Sequence, residues 1–421
     1  MRVLFVSDNF PPESNAPASR LHEHARRWVR AGHAVTVVTS TPNFPEGRPY
    51  AGYDNRWHQV EQVDGIRVVR VKTYMAENRG FARRTLDHLS FMLSSVLAGA
   101  VEHRPDVVVA TSPQFFAAVA GYQLARRWGA PFVFEVRDLW PASIVAVGAM
   151  REGPIVRALE RLELLLYAQA SAVVVVTDAF RADLVARGVA PDKVHVIPNG
   201  ADLDWCRPGA KDREFCSQHD LLDKFVIGYI GTIGMAQGLD RVLDAAELLQ
   251  GSPDIAFFFA GAGAERPRLE ARLRGASPLR NVRLLPRQPK ERVSALWRAC
   301  DASVIALSDR PLFSSVVPSK LFEAMAHGVP VLMSVPEGEA TALVRREGCG
   351  VVVPAADPTA LAEAIRSLAR SPARVAELRA RALSAAPRHS RDRHAEHMLA
   401  VLEQVAARSS ARREESHCST P

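Results

Sequence analysis

This sequence alternates, along almost its whole length, between short apolar runs rich in β-branched residues and longer segments with helical periodicity. The strand candidates in the first half are Val3–Val6, Val35–Thr39, Val107–Ala110, Phe132–Glu135, Val173–Val176 and His195–Ile197. Near-continuous apolar strands separated by helices are typical of parallel sheets that are covered on both faces. The first half is therefore predicted to be a doubly wound, Rossmann-like α/β domain.

A stretch rich in strand and helix breakers, which begins at Pro198-Asn199-Gly200, reads as an interdomain linker. The alternation then restarts, with strand candidates at Val226–Ile230, Ile255–Phe259, Val282–Leu284, Ser303–Ala306, Val331–Met333 and Val351–Val353. We predict two similar domains, 1–203 and 204–389, that face each other across a cleft. A helix over 390–408 is expected to pack back on the first domain, and residues 409–421 to form a disordered tail.

Composition and charge exclude several classes of protein. Hydrophobic residues make up 48% of the chain, but no apolar run approaches the roughly 18 residues that span a bilayer. The first apolar run is too short for a signal peptide, so we expect a cytoplasmic location. The net charge of +7 is spread, at +4 over residues 1–200 (23 basic, 19 acidic) and +3 over the remainder. A nucleic-acid-binding protein would more often show a basic stripe.

The charge excess fits three interpretations, namely solubility alone, an enzyme that handles anionic phosphates, or contact with an anionic membrane surface. The arginines Arg79, Arg83 and Arg84 precede the apolar-biased helix candidate Leu86–Val101. This segment is either a peripheral membrane contact at the inner face of the plasma membrane or a core helix with a solvated start.

The first candidate site is PSKLFEAMAHGVP, residues 318–330, which reads as a loop followed by a short helix. Free backbone N–H groups near Ser319 and Lys320 would suit a phosphate, and the Lys320 ammonium adds positive charge. Glu323 lies one turn further on the same face and can accept hydrogen bonds from both hydroxyls of a ribose. Helix capping is the alternative, but a capping box would need Glu at the position of Phe322.

A second candidate is the strand and turn IGYIGTIGMAQGLD, residues 227–240. Glycines such as Gly231 let the backbone approach a ligand closely, and Thr232 adds a hydroxyl. A glycine-rich turn between a strand and a helix is a weak signal by itself, but its place at the start of the second half makes it stronger.

Two candidates lie in the first half. Arg137 and Asp138 directly follow a buried strand, where a substrate-facing acid or base would lie, although a structural ion pair of Arg137 with Asp138 or Glu135 fits equally. Asn15 and Ala16 begin the first helix, where small residues permit close approach of an anion; a purely structural loop is the alternative.

Neither a cofactor nor a metal site is predicted. The five cysteines include no C-x-x-C pair, and the histidines show no metal-ligand spacing. Asp202-Leu203-Asp204 has the D-x-D form that holds a divalent metal in another transferase class. Because it follows Pro198-Asn199-Gly200 in the predicted linker, a turn is the better interpretation.

In this order and in two Rossmann-like halves, these motifs resemble the GT-B glycosyltransferases of family 4. The resemblance covers about residues 1–405 and rests on NFPPE, RAGHAVTVVTSTPNFPEG, FEVRDLWP, VIPNGAD, GTIGMAQGL and PSKLFEAMAHGVPV. As a set they look most like the WbuB-type branch, which builds bacterial O-antigen and capsule chains.

The resemblance implies a nucleotide-diphosphate sugar donor, held mainly by the second half. Glu323 matches the ribose-binding glutamate of the family, and Gly231-Thr232 matches its diphosphate turn. Arg137-Asp138 matches the position of a His-Asp pair near the transferred sugar, so Asp138 and Arg137 are the predicted catalytic residues. The family also implies retention of anomeric configuration.

Three positions depart from the family pattern. Thr232 and Gln237 stand where many relatives have Arg and Lys, and Ser315 replaces a second glutamate eight residues before Glu323. The usual cationic clamp on the diphosphate is therefore missing. We infer that Lys320, the backbone at Ser319 and Arg137 replace it.

The predicted protein is a hexosyltransferase-type enzyme that is independent of metal. It would move a sugar from a nucleotide-diphosphate donor, such as the UDP derivative of an N-acetylated amino or deoxy sugar, to a glycan or polyprenyl-linked acceptor in cell-surface polysaccharide synthesis. Two alternatives stay open: a UDP-sugar epimerase of the same fold, and a non-catalytic subunit that binds nucleotide sugars.

Overall fold

The computed structural model describes residues 1–76, 81–98, 103–146, 148, 150–275 and 278–418. The chain divides into two compact units, one formed by residues 1–198 with the residues from Arg391 onward, the other by Asn199–Ser390. In both units parallel strands alternate with helices, as the sequence predicts. Within the described residues, no helix is long and apolar enough to cross a membrane.

The first unit is built on an eight-stranded sheet. Its strands are β1 (Arg2–Val6), β2 (Ala34–Ser40), β3 (His58–Val63), β4 (Ile66–Val71), β5 (Val107–Thr111), β6 (Phe132–Val136), β7 (Ala172–Val175) and β8 (Val194–Val196). Its first six helices are α1 (Ala16–Arg30), α2 (Phe81–Ala98), α3 (Phe115–Trp128), α4 (Ala142–Ala146), α5 (Pro154–Gln169) and α6 (Asp178–Ala186). The strand order is β3-β4-β2-β1-β5-β6-β7-β8, and only the β3–β4 pair is antiparallel.

The sequence analysis missed the hairpin of β3 and β4 at the edge of this sheet. Asp64 and Gly65 connect the two strands with positive φ angles of 49° and 79°. An Asp-Gly pair with positive φ at both residues is the favoured two-residue hairpin turn. This signal stands in the sequence, but β3 alternates between exposed and half-buried residues and lacks the apolar run of the other strands.

The second unit has a six-stranded sheet that is parallel throughout, with the order β11-β10-β9-β12-β13-β14 once its strands are numbered along the chain. These strands are β9 (Phe225–Ile230), β10 (Ile255–Ala260), β11 (Val282–Leu285), β12 (Ala302–Ala306), β13 (Val331–Ser334) and β14 (Gly350–Val353). The helices are α7 (Arg213–Gln218), α8 (Leu239–Leu248), α9 (Arg266–Leu273), α10 (Lys290–Ala299), α11 (Lys320–His327), α12 (Glu339–Glu347), α13 (Pro358–Ala369) and α14 (Pro372–Ala385). Residues that follow β9 and β12 emerge at the centre of the sheet, where the strand order reverses and ligands bind in such folds.

The last helix, α15 (Arg391–Cys418), belongs to the first unit. Met398 and Leu402 on this helix are fully buried, and the indole of Trp28 on α1 donates a hydrogen bond to the carbonyl of Ala395 at 2.9 Å. The helix therefore completes the apolar core under β1, β2 and β5.

The predicted disordered tail over 409–421 is wrong for residues up to Cys418, since α15 continues through them. Alanine, arginine and glutamate in this stretch favour the helix although its composition is polar. The guanidinium of Arg413 also donates to the carbonyl of Gly129 at 2.9 Å, which ties the extension to the unit.

Shortening a buried side chain of α15 should destabilise the first unit. We expect Leu402→Ala to lower the free energy of unfolding by about 2–5 kcal/mol, because it leaves a cavity between α15 and the sheet. Gln404→Ala, an exposed position on the same helix, is the control. Urea unfolding followed by circular dichroism gives both values, and equal stability of the two variants would contradict this packing.

Candidate active site

The turn after β9 is held by backbone contacts that leave no room for a side chain at Gly261. The amide of Gly231 donates to the carbonyl of Ala260 at 3.0 Å. A Cβ atom on Gly261 would lie 1.9 Å from the carbonyl oxygen of Gly231. Gly231 itself has a φ of +137°, which a residue with a side chain rarely adopts. The two neighbouring turns therefore form a bare backbone surface at the carboxyl ends of β9 and β10.

Lys320, the first residue of α11, lies against this turn. Its ammonium nitrogen is 3.0 Å from the position that a Cβ of Gly231 would take. It also lies 3.8 Å from the centre of the Tyr229 ring, over its face. Burial lowers the pKa of Lys320 to about 7, and the nearby carboxylate of Glu323 acts in the opposite direction. The structure thus brings together Gly231 and Lys320, which the sequence analysis assigns to one site.

Glu323 is half-buried on the first turn of α11. Its Oε2 atom accepts a hydrogen bond from the indole nitrogen of Trp297 at 3.3 Å. Trp297 is buried on α10, and its ring stacks on that of His327 with 5.8 Å between centroids. The carboxylate is therefore oriented by a rigid aromatic pair, and Ser319 lies immediately before the helix without a side-chain capping bond.

Tyr229 and Trp297 are not among the site residues that the sequence predicts. Tyr229 lies within the apolar run of β9, and Trp297 lies within an amphipathic helix, so both read as core residues. A signal does exist for Tyr229, because a residue two positions before Gly231 on the same strand must lie beneath the turn.

The positions that depart from the family pattern form local hydrogen bonds. Oε1 of Gln237 accepts from the amide of Gly234 at 3.1 Å, and the Ser315 hydroxyl donates to the carbonyl of Leu312 at 2.7 Å. The Thr232 side chain is exposed, and its carbonyl accepts from the Tyr229 hydroxyl. Lys320 is therefore the cationic side chain that the described residues place against the Gly231 turn.

In the first unit, Arg137 and Asp138 form the turn after β6. The Ser112 hydroxyl accepts from both backbone amides, at 2.8 Å from Arg137 and 3.2 Å from Asp138. The Asp138 carboxylate accepts from the Ser143 hydroxyl at 2.9 Å. Burial raises the pKa of Asp138, and this hydrogen bond only partly offsets that effect.

The positively charged side chain of Arg137 is half-buried. Burial lowers its pKa to about 9, against the attraction of Glu135, and its Nε atom has no hydrogen-bond partner among the described residues. Glu135 instead forms its ion pair with Arg20, at 2.8 Å between Nε and Oε1. The structural pair of Glu135 with Arg137 that the sequence left open is thus replaced by a pair with Arg20.

The other predicted positions have structural partners. Oδ1 of Asn15 accepts from the amide of Ala18 at 3.0 Å, so this side chain caps α1, whose first residue is Ala16. Asp202 accepts from the amide of Asp204 at 3.2 Å within a turn. Among the residues described, no group of three His, Cys, Asp or Glu side chains could hold a metal ion.

Two family models match consecutive parts of the chain. The first is described as a glycosyl transferase 4-like domain and matches residues 15–200; the second is described as glycosyl transferases group 1 and matches residues 212–389. Among curated proteins, the chain is similar to the glycosyl transferase WcaI of Escherichia coli strain K12, whose name assigns it to colanic acid biosynthesis. The identity is 28% over 341 residues, which cover 78% of this chain and 82% of WcaI.

Solved structures share the fold over nearly the whole chain. Sucrose-phosphate synthase from Thermosynechococcus elongatus aligns with a TM-score of 0.73 and 19% identity, covering 96% of this chain and 99% of its own. Anabaena HepE in complex with UDP-glucose aligns with a TM-score of 0.70 and 17% identity, covering 96% and 100%.

Burial of Lys320 should make stability depend on pH. Below about pH 7 the ammonium is charged in the folded and unfolded states, and its burial costs stability. Between pH 7 and the usual lysine value of 10.5, the unfolded chain binds the extra proton, so stability rises with pH.

Lys320→Met should therefore stabilise the protein most below pH 7 and progressively less as the pH approaches 10.5. Urea unfolding at a series of pH values measures the difference, and Lys72→Met, at an exposed position, serves as the control. A constant difference across this range would rule out a buried ammonium at Lys320.

Proposed function

We propose that this chain, which is a glycosyltransferase of the GT-B fold, transfers a sugar from a UDP-sugar to a glycan or lipid-linked acceptor in cell-surface polysaccharide synthesis. The observation that carries the proposal is the contact of Lys320 with the Gly231 turn, one helical turn from Glu323. It combines a cation, backbone amides and a carboxylate, which are the groups that a nucleoside diphosphate requires.

The diphosphate would lie on the bare backbone at Gly231, next to the start of α11. Transfer breaks the bond between sugar and phosphate, and negative charge develops on the leaving diphosphate. The Lys320 ammonium and the amides near Ser319 and Thr232 would stabilise that charge. Metal independence is proposed from the family resemblance, with the Lys320 ammonium in the role that a divalent cation would otherwise have.

The nucleoside would be held by Glu323, whose carboxylate would accept hydrogen bonds from the two ribose hydroxyls. The bond from Trp297 contributes to the orientation of this carboxylate. Uridine is the proposed base because HepE, which shares the fold, was solved in complex with UDP-glucose. Resemblance to the WbuB-type branch favours an N-acetylated amino or deoxy sugar.

Asp138 and Arg137 are the proposed catalytic residues of the first unit. The raised pKa of Asp138 suits a carboxyl that accepts a hydrogen bond or a proton from a sugar hydroxyl. The positive charge of Arg137, which the attraction of Glu135 offsets only in part, suits an anionic group of a substrate. Retention of anomeric configuration is proposed from the family resemblance.

Replacing Glu323 tests the nucleotide site. We expect Glu323→Ala to weaken UDP binding by about 1–3 kcal/mol, the scale of lost hydrogen bonds to a charged group. Glu363→Ala, which removes an exposed carboxylate of the same unit, is the matched control. Isothermal calorimetry measures both, and unchanged UDP affinity in Glu323→Ala would remove this assignment.

The same preparation separates the alternatives. Thermal shift with UDP-, GDP- and dTDP-sugars identifies the donor, because ligands of the folded state raise the melting temperature. The products formed from that donor are then analysed with and without a lipid-linked acceptor. An epimerase would convert the donor without an acceptor, whereas a non-catalytic subunit would bind the nucleotide and transfer nothing.

A specific observation also supports peripheral membrane contact by α2. Leu86, Leu93 and Leu97 are 50%, 58% and 66% exposed, and their spacing places them on one face of the helix. The one carboxylate of α2, Asp87, is buried, while Arg83 is exposed. An apolar face without exposed negative charge suits an anionic bilayer.

The rest of the predicted segment, including Arg79 and residues 99–101, lies outside the described residues.

Acidic substitutions on this face test the membrane contact. We expect the double variant Leu93→Asp/Leu97→Asp to reduce binding to vesicles of phosphatidylethanolamine and phosphatidylglycerol by about tenfold or more, because two leucines lose their burial in lipid. Leu248→Asp, at a residue of the second unit that is 49% exposed, is the control. Equal flotation of the double variant and the wild-type protein would contradict the contact.

A further inference from the structure

Tyr229 touches two separate parts of the candidate donor site. It is fully buried on β9, two residues before Gly231. The face of its ring lies 3.8 Å from the Lys320 ammonium, and its hydroxyl donates a hydrogen bond to the carbonyl of Thr232. One side chain thus connects the cation of α11 with the glycine-rich turn.

These two contacts have different physical effects. An ammonium that is withdrawn from water loses hydration, and the negative face of an aromatic ring replaces part of it. The hydroxyl bond instead fixes the carbonyl of Thr232 on one side of the turn. That carbonyl shares a peptide plane with the amide of Ile233, which donates to the carbonyl of Ala262 at 2.9 Å, so both ends of this plane are held.

We propose that Tyr229 is a positioning residue for the donor diphosphate, keeping Lys320 charged against the turn through its ring and fixing the turn through its hydroxyl. This inference rests on the proposed function, in which the diphosphate lies at Lys320. A bound diphosphate would favour the protonated lysine, so binding takes up a proton at and above neutral pH.

Lys320 is the group in this cluster that titrates near neutrality. Glu323 on the same helix is the carboxylate that acts on it. Burial raises the pKa of the Tyr229 hydroxyl far above its usual range, so this group stays neutral. Burial lowers the pKa of His327, further along α11, to about 4, so that imidazole is also neutral at pH 7.

The sequence makes a direct measurement practical, because it contains only six lysines. Protein labelled with carbon-13 at the lysine ε-carbon gives six signals, and the signal lost in Lys320→Arg is that of Lys320. In protein without ligand, Tyr229→Phe retains the ring and should leave the Lys320 titration unchanged. Tyr229→Leu removes the ring and should lower the titration midpoint by about half a unit to one and a half units.

Calorimetry then tests the effect on the donor. The probe is UDP-glucose, whose diphosphate is esterified at both ends and does not titrate near neutral pH. In wild-type protein its affinity should fall as the pH rises from 7 to 8.5. Tyr229→Leu should bind about threefold or more weakly at pH 7.5, with the fall beginning at lower pH. Tyr229→Phe should bind about two- to tenfold more weakly at every pH, since only the hydrogen bond to Thr232 is lost.

The titration and the calorimetry test different claims, so each claim can be contradicted independently of the others. If neither UDP nor UDP-glucose binds the wild-type protein, the proposed function as a UDP-sugar transferase is overturned. If Lys320 titrates in Tyr229→Leu as it does in wild-type protein, or at higher pH, the role of the Tyr229 ring is overturned whatever binds. If Tyr229→Phe binds UDP-glucose as tightly as wild-type protein, the role of the hydroxyl is overturned.

Discussion

The close approach of two backbone turns in the second unit is the constraint on which the candidate site depends. Gly261 lies so near the carbonyl of Gly231 that a methyl group would overlap it. This contact lies at the carboxyl ends of the paired strands β9 and β10, and it requires glycine at position 261. Lys320 can lie beside the turn because nothing projects from Gly231. The geometry of the site therefore follows from the absence of side chains as much as from the charged residues.

The first unit contains a cluster of buried and half-buried charged side chains. Three buried or half-buried guanidinium groups, those of Arg20, Arg137 and Arg391, lie near two carboxylates, Glu135 and Glu23. Glu135 pairs with Arg20 and Glu23 pairs with Arg391, at 2.8 and 2.9 Å. Arg137 shares the attraction of Glu135 with Arg20. Withdrawing the Arg137 guanidinium from water costs stability, and this attraction offsets that cost only in part.

The sequence was sufficient for the fold class and for the class of enzyme, and both predictions are confirmed by the sheets and the comparisons. Parallel buried strands leave a strong apolar signal, whereas the β3 edge strand is half exposed and was missed. The helix over 409–418 was missed because polarity was taken as disorder. The contact between Gly231 and Lys320 could be anticipated because Gly231 follows β9 and Lys320 begins the helix after β12, and these two strands are neighbours in the sheet.

Aromatic contacts could not be predicted in the same way. Tyr229 has the same pattern as any strand residue, and Trp297 the same as any residue on the inner face of a helix. Their roles depend on which polar atoms α10 and α11 bring against them, and that is a property of tertiary packing. Short-range patterns report which face of an element is buried, but they do not report which single polar partner a buried ring will contact.

The departures at Thr232 and Gln237 replace an arginine and a lysine of many relatives, so Lys320 is the cation that we propose for the diphosphate site. Gln237 and Ser315 are uncharged, and each forms a hydrogen bond with a backbone group of its own turn. A guanidinium of the kind found in many relatives would stay charged at any physiological pH, whereas a lysine shifts its pKa readily when it is buried. With the pKa of Lys320 near 7, even a small change in its surroundings alters the fraction that is charged. The aromatic support beneath Lys320 then matters more here than it would beneath an arginine, since it acts on whether the cation exists as well as on where it lies.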